Sequence, residues 1–183
     1  MVSYDLAFAY MQKNEGGLVD NPQDPGGITN FGLSLRFLKS LPLSDLQKYG
    51  INYPPNADDI RSLTIDKVKP LYHDFFWSEA RFAELSNQDL ANYLFDASVN
   101  LGISPAIKAL QRALWSALQC KDTLKDDGIL GDITLNMLKD HYTISYRILS
   151  ALRSERASEY RVINAQDNKP EFLAGWLDRA YRK

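Results

Sequence analysis

A mainly α-helical fold is predicted by two observations: apolar residues recur at three- and four-residue spacing along most of the chain, and the helix-breaking residues gather in one stretch near the N-terminus. Tyr4 to Asn14 puts Leu6, Ala7, Tyr10 and Met11 on one face of a helix, with Ser3 as its N-cap and Gly16 and Gly17 ending it. From Asp20 to Gly32 the chain holds two prolines, three glycines and four Asp or Asn residues, so the segment is an irregular loop or a small β-hairpin. The helical period returns over Leu35 to Lys48. A Tyr-Pro-Pro-Asn turn at Tyr53 to Asn56 precedes a helix over Thr64 to Trp77.

Asn87 to Leu101 carries Leu90, Tyr93, Leu94 and Ala97 on one side of the next helix. Ser104-Pro105 starts another, since Ser caps and Pro suits a first helical turn, and it buries Ile107, Leu110, Leu114, Ala117 and Leu118. Asp132 to Lys139, Ile144 to Asn164 and Pro170 to Tyr181 complete the set. The one soft boundary, at Gly102 to Pro105, divides a region 1–103 from a region 104–183, packed as one compact body.

The 21 Lys and Arg residues nearly balance 23 Asp and Glu, which argues against a domain held on nucleic acid by phosphate contacts. Apolar residues make up 45% of the 183-residue chain, enough for a substantial core and too many for a disordered one. Cys120 is the single cysteine, so an internal disulfide and a multi-cysteine metal cage are both excluded. His73 and His141 lie far apart with no metal-ligand spacing, which speaks against a zinc peptidase or amidase. No metal and no cofactor is expected. The first residues lack a basic region and a cleavage site, so no signal peptide is read, and no apolar run approaches the roughly 20 residues that span a bilayer.

Chemistry concentrates between Glu15 and Gly32. Glu15 stands at the end of the first helix, where the helix dipole and partial burial under the following loop both oppose its ionisation. Each pKa unit so gained is worth about 1.4 kcal/mol, and two modest effects keep a carboxyl protonated near neutral pH. Asp20 and Asp24 follow in a loop stiffened by Pro22 and Pro25. A protonated Glu facing an ionised Asp is the minimum apparatus of glycoside hydrolysis, with Thr29 or Asn30 placed to orient a water. The same residues also fit a plain helix end followed by turns.

The run Glu15-Gly-Gly-Leu-Val-Asp-Asn-Pro-Gln-Asp-Pro-Gly-Gly-Ile-Thr-Asn-Phe-Gly-Leu-Ser34 resembles the signature of the glycoside hydrolase family 108 muramidases. These are lysozyme-like enzymes that cut peptidoglycan and include phage endolysins and muramidases of bacterial protein-secretion systems. Phe76-Trp77, Phe95-Asp-Ala-Ser-Val-Asn-Leu-Gly102, Leu110-Gln111 with Asp127 to Thr134, and Gly175-Trp176 with Arg179 are similar to later motifs of the family, so the resemblance spans nearly the whole chain. It implies a lysozyme-like fold, a C-terminal region resembling a predicted peptidoglycan-binding domain, and cleavage of the β-1,4 bond between N-acetylmuramic acid and N-acetylglucosamine with Glu15 as general acid. Asp24, nine positions on, and Thr29 have a spacing similar to the Glu, Asp, Thr triad of phage lysozymes.

Asp20 competes with Asp24 as the second acid. Asp24 is favoured because the Gly26-Gly27 turn beside it is able to aim it back at a cleft. Asp20, Asn30, Trp77, Asp96 and Asn100 are the candidate substrate contacts; Asp96 and Asn100 share a helix face and also suit a purely structural role in holding the loop of Glu15. The expected partner is the peptidoglycan glycan strand, met by a monomer that is made in the cytoplasm and reaches the wall through a holin or a secretion machinery. A lytic transglycosylase and a non-catalytic wall-binding scaffold of the same fold are the rival readings.

Overall fold

The computed structural model describes residues 1–14, 17–20, 27–121, 123–168 and 170–182. Among them lie ten α-helices and one two-stranded antiparallel sheet, which is the mainly α architecture with a hairpin after the first helix that the sequence predicts. No helix among the described residues is long and apolar enough to cross a membrane.

Helix α1 (Tyr4–Gln12) is capped by Ser3 as expected, but its face is rotated from the predicted one. Ala7, Phe8 and Met11 are buried, whereas Leu6 is 57% exposed. Strands β1 (Thr29–Asn30) and β2 (Leu33–Ser34) pair Thr29 with Ser34 and Asn30 with Leu33 around a two-residue turn. Phe31 and Gly32 both have positive φ there, 49° and 80°, which is what a tight hairpin of the right twist requires. Gly32 adopts this freely; Phe31 is held in place by the Tyr72 hydroxyl, which donates to its carbonyl at 2.9 Å.

The predicted helix over Leu35 to Lys48 is two helices, α2 (Leu35–Ser40) and α3 (Leu43–Lys48). Pro42 forces Leu41 into an extended conformation, ψ 143°, and breaks the period. A short helix α4 (Ala57–Arg61) follows, unforeseen in the sequence reading. It carries a capping box: the Asn56 side chain accepts from the Asp58 amide at 2.8 Å, and the Asp59 carboxylate accepts from the Asn56 amide at 2.8 Å. Replacing Asn56 with Ala is expected to lower stability by about 1 kcal/mol, read as a small fall in urea midpoint.

Helix α5 (Ile65–Tyr72) runs into a π-helical turn over His73–Ser78. The wider turn drives Trp77 inward, against Tyr4, Phe82 and Phe95 at 5.5–5.9 Å between ring centres. Tyr4, Phe8, Tyr72 and Phe95 extend this aromatic cluster, binding α1 to α5 and to α6 (Gln88–Leu101). Each such edge or tilted ring pair adds about 0.5–1.5 kcal/mol beyond area burial.

Helix α7 (Ile103–Leu118) starts one residue before the predicted Ser104, with Gly102 as its N-cap and Pro105 in its first turn. It packs on α6 and on the long α9 (Ser145–Asp167), which in turn packs on α10 (Pro170–Tyr181). Between α7 and α8 (Asp132–Asp140), the buried Gln111 side chain organises the loop: it donates to the Asp127 carboxylate at 2.8 Å and accepts from the Gly128 amide at 2.9 Å. Gly128 is required, because its φ is 78° and a Cβ would lie 2.2 Å from the Ser104 hydroxyl.

Candidate active site

Glu15 and Asp24, the predicted acid and base, lie outside the described residues. The frame on either side of them is defined. Val19 and Thr29 exchange both backbone hydrogen bonds at 2.8 Å, so the chain on either side of residues 21–26 is fastened into one antiparallel pairing. Thr29 is half-buried at the start of β1, and its hydroxyl donates to the Gly27 carbonyl at 3.3 Å.

Asn30 is 7% exposed and points away from solvent, donating to the Ile60 carbonyl of α4 at 3.0 Å. It therefore anchors the hairpin to α4. Asp20 is about half exposed and accepts from Arg61, also on α4, at 2.8 Å. Helix α4 thus grips the loop segment twice, through Arg61 and through the Ile60 carbonyl.

Trp77 does not face a cleft. It is 3% exposed inside the aromatic cluster, so no ring face is open to a sugar. Beside it on the π-helical turn, His73, Lys48 and Tyr49 all donate to Asp74 and hold its carboxyl well below the usual carboxylate range. That cluster is partly exposed and was not foreseen, since Lys48 and Tyr49 are distant in sequence from Asp74.

Asp96 is 1% exposed and lies at the centre of an ion-pair cluster. Arg156 of α9 donates to it at 2.7 Å and Arg179 of α10 at 2.8 and 3.2 Å. Burial pushes the Asp96 carboxyl up, but the two guanidinium charges and their hydrogen bonds outweigh it and hold it below its ordinary range. No sugar has access to this carboxylate, which corrects the expected substrate contact. Asn100 is exposed, one turn further along α6, and accepts from the Tyr160 hydroxyl at 2.6 Å; Tyr160 in turn accepts from Arg156 at 2.8 Å. Trp176 stacks between Tyr160 and Phe172 at 5.6 and 5.9 Å, while Arg179 turns to Asp96, so these two residues do not pair with each other.

A helical body with a small hairpin fastened after the first helix is a mainly α fold of lysozyme-like type. The family model described as Glycosyl hydrolase 108 matches residues 8–102, more than half of the chain, and the chain belongs to that family. A second model, described as Predicted Peptidoglycan domain, matches residues 105–181. The protein is accordingly a peptidoglycan hydrolase of the muramidase type. Among solved structures it is similar to the one titled "Structure of Brucella abortus SagA", with 23% identity and a TM-score of 0.74 over 98% of this chain and 90% of that one, a likeness of fold. No curated protein sequence matches the chain.

Proposed function

We propose that the protein is an N-acetylmuramidase that hydrolyses the β-1,4 bond between N-acetylmuramic acid and N-acetylglucosamine. Glu15 protonates the leaving oxygen. Asp24 activates the attacking water, with Thr29 orienting it. The observation that carries this reading is the unbroken run from Glu15-Gly-Gly to Gly26-Gly-Ile-Thr29 inside the family match, with Val19 and Thr29 paired on either side of residues 21–26. Water attack inverts the anomeric carbon, for which two carboxyl groups stand roughly 6.5–9.5 Å apart.

Asp20 supports the hairpin through Arg61 rather than sharing in the chemistry. The substrate is the glycan strand, met by a monomer. Lysis or secretion is the biological setting, in which a holin or a secretion machinery delivers the enzyme to the wall.

Mass spectrometry of the fragments released from purified peptidoglycan tests the reaction. Reducing muramic acid ends are expected. Anhydro ends would make the protein a lytic transglycosylase, reducing glucosamine ends a glucosaminidase, and an absence of fragments a wall-binding scaffold. In the same assay Asp24→Asn is expected to lose far more activity than Asp20→Asn, and equal mild losses would remove both from the mechanism.

A further inference from the structure

We infer that the cavity between α1, α6 and α9 is a binding site for the free carboxylate at the end of a peptidoglycan stem peptide. The inference rests on peptidoglycan as the polymer that the protein meets, and it is independent of which glycosidic bond is cut and of which acid cuts it.

The cavity has a volume of about 310 Å³ and lies along the seam of the two matched regions. Tyr10 of α1 and Asp89, Asn92 and Tyr93 of α6 line one side, and Leu149 and Arg153 of α9 the other. Small-molecule pockets hold roughly 300–1,000 Å³, so this one fits the end of a chain and not a glycan strand. Three of its side chains carry hydrogen-bond donors with no acceptor among the described residues. Arg153 Nε is buried without a partner, and Arg153 forms no ion pair among those residues. Asn92 accepts from Gln88 at 2.7 Å through its oxygen, which leaves its side-chain NH2 unused. The half-buried Tyr10 hydroxyl has no hydrogen bond among them either. Burial and the nearby Asp96 push that hydroxyl up, against the pull of Arg153, Arg156 and Arg182, so it stays protonated and able to donate.

Charge sets the class of ligand. Arg153 and Arg156 both lie over the Tyr93 ring, their guanidinium carbons 5.8 and 5.1 Å from its centre, but only Arg156 is neutralised, by Asp96 at 2.7 Å. One uncompensated positive charge therefore lines the cavity beside two neutral donors, the complement of a monoanion with two oxygens. A buried donor left unmade is costly, and a bound carboxylate relieves that cost. Asp89 is exposed and stands on the solvent side of the cavity. There its charge opposes a dianion such as phosphate and favours a chain that carries an amine behind its carboxylate. A stem peptide has both groups. It ends in alanine, whose methyl group suits the apolar wall formed by Leu149 and the Tyr93 ring.

Calorimetric titration of the full chain with a synthetic stem tetrapeptide ending in D-alanine, with its C-terminal amide and with inorganic phosphate tests the site. The free acid is expected to bind, the amide about tenfold more weakly or worse, and phosphate no better than the amide. Arg153→Gln and Asn92→Asp are each expected to weaken the free acid about tenfold or more, with melting temperatures within about 3 °C of the parent. Asn92→Asp keeps the oxygen that accepts from Gln88 and puts a second anionic oxygen in place of the unused NH2. No binding of the free acid at millimolar concentration, equal binding of acid and amide, or parental affinity in either variant would overturn the proposal. So would phosphate binding as tightly as the peptide, which marks a general anion site. Should a variant fail to fold, the acid-against-amide comparison on the parent still decides. Digestion and co-sedimentation of purified walls run alongside. Fragments released without any peptide binding would remove this site and leave the hydrolase standing, whereas neither wall binding nor fragments would remove the polymer on which the site is argued.

Discussion

The Glu15→Gln variant is expected to fold, to sediment with purified cell walls, and to clear them at a rate lower by about 100- to 10,000-fold. The substitution preserves the shape and hydrogen-bonding reach of the side chain and removes only its transferable proton. A glycosidic oxygen leaving without a proton departs as an alkoxide, and an amide is far too weak an acid to prevent that near neutral pH. Wall binding persists because the predicted peptidoglycan domain at residues 105–181 is untouched. Clearing of turbid wall suspensions measures the rate, and co-sedimentation measures the binding. Loss of both together would point to a folding defect, whereas parental clearing would remove Glu15 from the chemistry.

The helices were legible in the sequence wherever a cap and a period agreed. Helix α10 has the predicted bounds, Pro170–Tyr181, and α6 starts at Gln88, one residue inside the predicted range, with Asn87 as its cap. Elsewhere one local cue overrode the period. Pro42 split a helix that the apolar spacing alone runs straight through. The Asn56 to Asp59 capping box marks α4, three residues apart as the motif demands, yet the prolines before it read as a turn. On α1, the buried set of Ala7, Phe8 and Met11 extends back to the half-buried Tyr4, a spacing as regular as the one chosen through Leu6 and Tyr10. Only the location of the aromatic cluster distinguishes them.

Site residues divided along a different line. The Glu15 to Thr29 run is contiguous, so the chemistry proposed for it rests on one segment. Asp96 and Asn100 were correctly placed on one helix face, but their partners Arg156, Tyr160 and Arg179 lie 60 to 83 residues away. Local pattern carries no information about such partners, so a buried carboxylate and a solvated one look alike. Trp77 was misread for a related reason: a normal α-helical turn at His73–Ser78 would rotate it differently from the π-helical one that forms.

Replacing Asp96 with Asn is expected to destabilise the protein by about 3–5 kcal/mol, the usual cost of removing one partner from a buried pair. Arg156 is 0% exposed, so its guanidinium is unable to replace the lost partner with water. For a domain whose whole stability is about 5–15 kcal/mol this is a severe loss, visible as a fall of roughly 6–20 °C in melting temperature. The effect also has a defined pH dependence. Because the folded carboxyl titrates below its unfolded value of about 3.9, its contribution is complete above that value and disappears as the pH falls through the folded one. Urea unfolding is expected to separate parent and variant widely at pH 7 and progressively less below pH 4. A gap that stayed constant into strong acid would mean that Asp96 acts through shape and not charge. A gap near zero at pH 7 would mean that the two arginines find other partners, and that α6, α9 and α10, which meet at Asp96, are held by packing alone.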